Sequence, residues 1–111
     1  MSKKVIQPID VLVAGDMSGT LHGLASHMPF MDDVGYQYVW TGSPVGTMNV
    51  QVSMDGINWS NVSPTGIDIT TATSPYFIDV NLTAAYMVRP SFDAGGGSSG
   101  SLSIKAALKE V

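Results

Sequence analysis

The side chains of this sequence best suited to holding a metal or moving a proton are His22 and His27, five positions apart, with Asp16, Asp32 and Asp33 nearby. A metal site needs three or four ligands converging in fixed geometry. On extended backbone an odd spacing sends the two imidazoles to opposite faces, so they do not converge. Asp32 and Asp33 are neighbours and point apart for the same reason. There is no cysteine, which excludes disulfides, thiolate nucleophiles and thiolate metal sites together. Scattered serines, histidines and aspartates do not spell a triad, and the G-x-S-x-G nucleophile elbow is read as absent. Asp55-Gly56 is a fragment of the acidic calcium loop and reads as a turn. Gly95, Gly96 and Gly97 lack the Gly-Lys-Ser/Thr ending and the following helix of a phosphate cradle. Asn58-Trp59-Ser60, Asn61-Val62-Ser63 and Asn81-Leu82-Thr83 match the glycosylation acceptor pattern and, with no secretory signal, read as coincidence in a chain rich in Ser, Thr and Asn. The chain therefore reads as a non-enzyme with no metal and no cofactor.

Aromatic residues are the remaining binding candidates. Tyr36, Tyr38, Trp40 and Trp59 form either part of a sandwich core or a flat platform of the kind on which sugar rings stack. The core is the preferred reading. A carbohydrate-binding module, or a phage head or tail accessory adhesin using exposed Trp and Tyr, is the alternative.

The totals limit what these residues can belong to. At 111 residues the chain supports one domain, divided as an arm over 1–8 and a single β-sandwich over 9–111. Charged residues are only 13%. Either a partner covers some apolar surface, or the sandwich has uncharged polar faces. Net charge is −4, and Lys3, Lys4, Lys105 and Lys109 lie near the ends, leaving Arg89 as the exception. That balance excludes a nucleic-acid partner, which would need a basic face. The apolar run at the start is broken by Gln7, Pro8 and Asp10, so no signal peptide is read, and no span approaches the roughly 20 apolar residues that cross a bilayer. A soluble chain made in the cytoplasm, without a membrane partner, is expected.

Hydrophobic patterning supplies the elements. Ile9 to Ala14 and Thr20 to Leu24 are predicted strands, and between residues 25 and 35 Met28, Pro29, Phe30 and Met31 are apolar without period. That loop is either a contact surface or a plug for one end of the core. Tyr36, Tyr38 and Trp40 share a strand face, and Gly42-Ser43-Pro44 with Gly46 supplies a turn. Met48, Val50, Val52 and Met54 then alternate with Thr47, Asn49, Gln51 and Ser53, and Asp55-Gly56 is read as a hairpin turn leading into Ile57-Asn58-Trp59. The expectation is a three-stranded antiparallel meander over Tyr36–Trp59. Ile67 to Thr73 suits an edge strand, and Tyr76, Ile78, Val80 and Leu82 share a face of the next. Tyr86 to Phe92 is a strand that Pro90 pushes toward an edge or bulge. Residues 93–101 read as a flexible hairpin tip, and Leu102, Ile104, Ala106 and Leu108 face inward on a terminal strand. About eight short strands, with a turn signal roughly every ten residues, predict an all-β, single-domain antiparallel sandwich of jelly-roll type.

The run YVWTGSPVGTMNVQVSMDGINW, followed by SPYFIDV and the terminal SLSIKAALK, resembles small virion proteins of tailed phages, of the capsid decoration or staple kind found in short-tailed phages of the epsilon15 type. The resemblance covers nearly the whole chain and rests on turn and core signatures. It implies a non-enzymatic homodimer, made in the host cytoplasm, that binds the outer capsid surface and fastens neighbouring major capsid proteins together. On that reading the contacts fall on Lys3, Lys4, Val5 and Ile6 of the arm and on Met28, Phe30 and Met31 of the loop, with Gly95, Gly96 and Gly97 adapting to non-identical lattice positions.

Overall fold

A computed structural model of the chain describes residues 8–27, 33–62, 66–81 and 87–109. In chain order the strands are β1 (Ile9–Asp16), β2 (Leu21–His22), β3 (Ser26–His27), β4 (Asp33–Thr41), β5 (Gly46–Ser53), β6 (Ser60–Asn61), β7 (Ile67–Asp68), β8 (Tyr76–Asn81), β9 (Met87–Ala94) and β10 (Ser101–Lys109). They form two antiparallel sheets. One, sheet A, has the order β1-β10-β4-β8; in the other, sheet B, β9 and β5 are central, with β2 and β3 against β9 and with β6 and β7 against β5. Taken as interrupted strands, the pairs β2/β3 and β6/β7 make eight strands among the described residues. The sheet orders then become first-eighth-third-sixth and second-seventh-fourth-fifth, the interleaving of a jelly roll.

Period-two patterning builds the core from both sheets. Val34, Tyr36 and Tyr38 of β4 and Leu102, Ile104 and Ala106 of β10 face Met48 and Val50 of β5 and Val88 and Phe92 of β9, all buried. Tyr38 spans the interior, its hydroxyl donating to the Asn49 carbonyl (2.9 Å) with the Ser91 carbonyl at 3.2 Å. Burial raises the pKa of both Tyr36 and Tyr38 far above the usual phenol.

Four expectations are corrected. The meander does not form, because β4 and β5 lie in different sheets. Alternation tells which side chains face the core, and opposite sheets satisfy that equally well. Residues 42–45 cross between the sheets, with Pro44 buried and Gly42 at φ 92°. Residues 93–101 are likewise no hairpin tip, since β9 and β10 are in opposite sheets. The two crossings are tied together: Gly95 N–H donates to the Val45 carbonyl (2.7 Å), Ser99 N–H to the Ser43 carbonyl (3.3 Å), and Val45 N–H to Ser98 Oγ (3.0 Å).

Asp55-Gly56 does not close a two-residue hairpin. The Asp55 carboxylate accepts from Ile57 N–H and Asn58 N–H, both at 2.8 Å, and from Asn58 Nδ2 at 2.7 Å, so the loop is wound around it and β6 starts only at Ser60. Met54 and Ile57 are accordingly exposed. Over Ile67–Thr73 only Ile67–Asp68 is strand. Asp68 caps a short 3₁₀ turn over Ile69–Thr71, accepting from Thr70 N–H at 2.9 Å, and this turn buries Ile69 in the core.

Pro90 sits in a central strand at a break. Its carbonyl accepts from Gly23 N–H (2.9 Å), and Gly23 lies in the gap between β2 and β3. Backbone N–H and C=O of one strand residue point the same way, so the donor that proline lacks faces that interruption rather than β5.

Candidate functional site

Two outward faces remain once the core is assigned. On sheet A, Gly35 and Gln37 of β4, Phe77 of β8, and Lys105, Ala106 and Ala107 of β10, with Pro8 at the rim, line a groove of about 330 Å³. Phe77 is 60% exposed, and its ring lies over Gly35, where any Cβ would strike it. Val39 of β4 adds a second exposed apolar side chain. Lys105 pairs with Asp10 at 3.6 Å, an exposed ion pair of little energetic weight. Among the described residues this face is largely apolar and shallow, with no convergent polar chemistry.

Sheet B presents a polar face. Gln51 of β5 is opposite Arg89 of β9 on one side and Asn61 of β6 on the other. Arg89 Nε donates to Gln51 Oε1 (2.9 Å), and Gln51 Nε2 donates to Asn61 Oδ1 (3.2 Å). The Arg89 guanidinium carbon stands 4.2 Å from the centroid of the Trp59 ring, a cation–π stack. Trp59 reaches this position because the loop wound around Asp55 ends beside β6. His22 of β2 is opposite Ser91, between Arg89 and Asp93 along β9. Burial first, and then the charge of Arg89, lowers the His22 pKa from 6.5, with Asp93 opposing.

The aromatic residues thus divide. Tyr36 and Tyr38 are core, Trp40 packs against it, and Trp59 stands outside, so no four-ring platform exists. Arg89 was legible only as the chain's single arginine; its place on an outward strand position, level with Gln51, is the signal that marks it. Among the described residues no group of three His, Cys, Asp or Glu side chains could hold a metal. Contrary to the expectation that G-x-S-x-G is absent, Gly96-Gly97-Ser98-Ser99-Gly100 fits its spacing. Ser98 is 8% exposed, its Oγ accepts from Val45 N–H, and a strand rather than a helix follows, so it is a structural serine.

Of the residues assigned to partner contact, Lys3, Lys4, Val5, Ile6, Met28, Phe30 and Met31 lie outside the described residues. Gly95, Gly96 and Gly97 are exposed. Gly95 is held by Val45, whereas Gly96 and Gly97 face open space.

No protein-family model matches the sequence. No curated protein matches it either. Among solved structures, the crystal structure of the SPBc2 prophage-derived protein YomS aligns with a TM-score of 0.70 over 99% of this chain and 96% of that one, at 8% identity. The chain shares the fold of a prophage-derived protein. At that identity the likeness is one of fold alone.

Proposed function

We propose that this chain is a non-enzymatic structural protein of a phage virion, which binds the outer capsid surface as a dimer and staples neighbouring major capsid proteins together. The observation that carries the proposal is the fold held in common with a prophage-derived protein over nearly the full length of both chains, alongside the motif resemblance in Tyr38–Trp59. The outer face of sheet A, with Phe77 exposed at a shallow groove and Val39 exposed farther along β4, is the surface we assign to the capsid. A ligand that binds only the assembled lattice stabilises that state by mass action, and many copies, each contributing a few kcal/mol, reinforce a whole shell.

Sedimentation of the purified chain with capsids of its own phage that lack it tests the reading. Wild-type protein is expected to co-sediment at saturable stoichiometry and to raise the temperature at which the shells open. Phe77→Asp, which melts like wild type because the ring is outside the core, is expected to stay in the supernatant. Failure of the wild type to bind defeats the capsid assignment, and full occupancy by Phe77→Asp defeats the assignment of this face.

A further inference from the structure

The polar face of sheet B lies on the opposite side of the sandwich from the groove, and it carries a cation that has no counter-ion among the described residues. Arg89 is held on two sides: its Nε is spent on Gln51, which Asn61 fixes in turn, and its plane is set by the Trp59 ring. Both terminal nitrogens are left over. Among the described residues they have no hydrogen-bonded or ion-paired partner, although the side chain is partly buried. A half-desolvated guanidinium held in one orientation is prepared for a planar, two-oxygen acceptor, because the side-chain entropy and part of the desolvation are already spent in the free protein.

The surroundings narrow the ligand. Asn61 is exposed and has an amide nitrogen to offer, the indole supplies an aromatic surface, and exposed His22 and Asp93 continue the face along β9. Asp93 is four residue steps along the strand from Arg89, a reach of about 13 Å. Neutral amides, one aromatic ring, one cation and a distant carboxylate suit a ligand rich in hydroxyls that carries a single carboxylate per unit. An acidic protein surface fits poorly. A surface of clustered carboxylates would find a single cation to pair with among the described residues of this face, whereas one carboxylate per sugar unit matches it.

We propose that Arg89, Trp59, Gln51 and Asn61 form a binding site for a carboxylate-bearing sugar of an acidic glycan. The carboxylate takes the two terminal nitrogens of Arg89, and the pyranose ring lies beside the Trp59 indole with its hydroxyls toward Asn61. This site is independent of the capsid assignment, since it uses the other face of the molecule.

Titration of ¹⁵N-labelled protein with an oligogalacturonate, beside the matched neutral oligogalactoside, tests it. The expected result is saturable movement of the Trp59 indole N–H signal with that of Trp40 unmoved. Affinity is expected to be at least about tenfold weaker for the neutral sugar, and to fall by a similar factor in Arg89→Gln. Trp59→Ala provides a second variant, far from the core, should Arg89→Gln melt early. Absence of saturable binding, equal affinity for charged and neutral oligomers, or full retention in folded Arg89→Gln or Trp59→Ala overturns the proposal. Polyglutamate binding as tightly as the oligogalacturonate overturns the sugar assignment.

Discussion

Replacing Tyr36 and Tyr38 by phenylalanine, one at a time, removes hydroxyls two residues apart on the same buried face of β4. The two substitutions should have opposite signs. Tyr38 Oη donates across the sandwich to the Asn49 carbonyl at 2.9 Å, and losing a buried hydrogen bond of this kind costs about 1 to 2 kcal/mol. Tyr36 Oη is equally buried and has no partner among the described residues, so its hydroxyl was desolvated without compensation. Removing an unsatisfied buried hydroxyl recovers about 1 to 3 kcal/mol, less roughly 1 kcal/mol for the contacts of the vacated oxygen. For a chain of this length about 1 kcal/mol moves Tm by about 4 °C. Tyr38→Phe should therefore melt about 4 to 8 °C below wild type, and Tyr36→Phe at or a few degrees above it. Scanning calorimetry on the three proteins at one pH and concentration decides the matter. A loss in Tyr36→Phe as large as that in Tyr38→Phe would mean that the Tyr36 hydroxyl has a partner and that the reasoning is wrong.

Other outcomes follow from the loops. Four hydrogen bonds to the Asp55 carboxylate, from Asn58 N–H, Ile57 N–H, Asn58 Nδ2 and Ser53 Oγ, hold its pKa well below the ordinary 3.8. A depressed folded-state pKa contributes stability that is present above the unfolded value and lost as pH falls through the folded one. Denaturant melts should thus weaken below about pH 4, and Asp55→Asn should flatten that slope; an identical acid limb in the variant counts against the loop assignment. Gly100 has φ 131°, and a Cβ there would collide with the Thr41 carbonyl, whereas a Cβ on Gly96 meets nothing. Gly100→Ala should cost at least about 2 kcal/mol and Gly96→Ala less than about 0.5 kcal/mol, measured by urea titration. Deleting residues 1–6 should lower occupancy on capsids without changing the melt, and unchanged occupancy removes the arm from the contact surface.

What could be read from one dimension was the identity of each face. Period two in Tyr36–Trp40, Met48–Val52, Tyr76–Val80 and Leu102–Ala106 assigned the side chains that face the core, but Met54 of the same set is exposed, and Asn49 and Ser53 of the polar set are buried on the other face. Turn-forming residues likewise marked where strands stop, and together these features were enough for an eight-strand sandwich. Which strands pair was another matter. Gly42-Ser43-Pro44 is compatible with a hairpin, and only the contacts of Val45 and Ser43 with residues 95–99, about fifty positions away, turn it into a crossing between sheets. Asp55-Gly56 shows the same limit on a smaller scale, because a carboxylate that captures Ile57 and Asn58 competes with the tight turn, and dipeptide preference does not decide between them. The sheet B site was hidden for a related reason. Arg89, Gln51 and Asn61 are brought side by side by β-pairing, Trp59 is laid on the guanidinium by the Asp55 loop, and no spacing along the chain encodes either juxtaposition. Alternation along each strand thus determined which side chains face the core; long-range hydrogen bonding between strands and loops decided what meets on the surface.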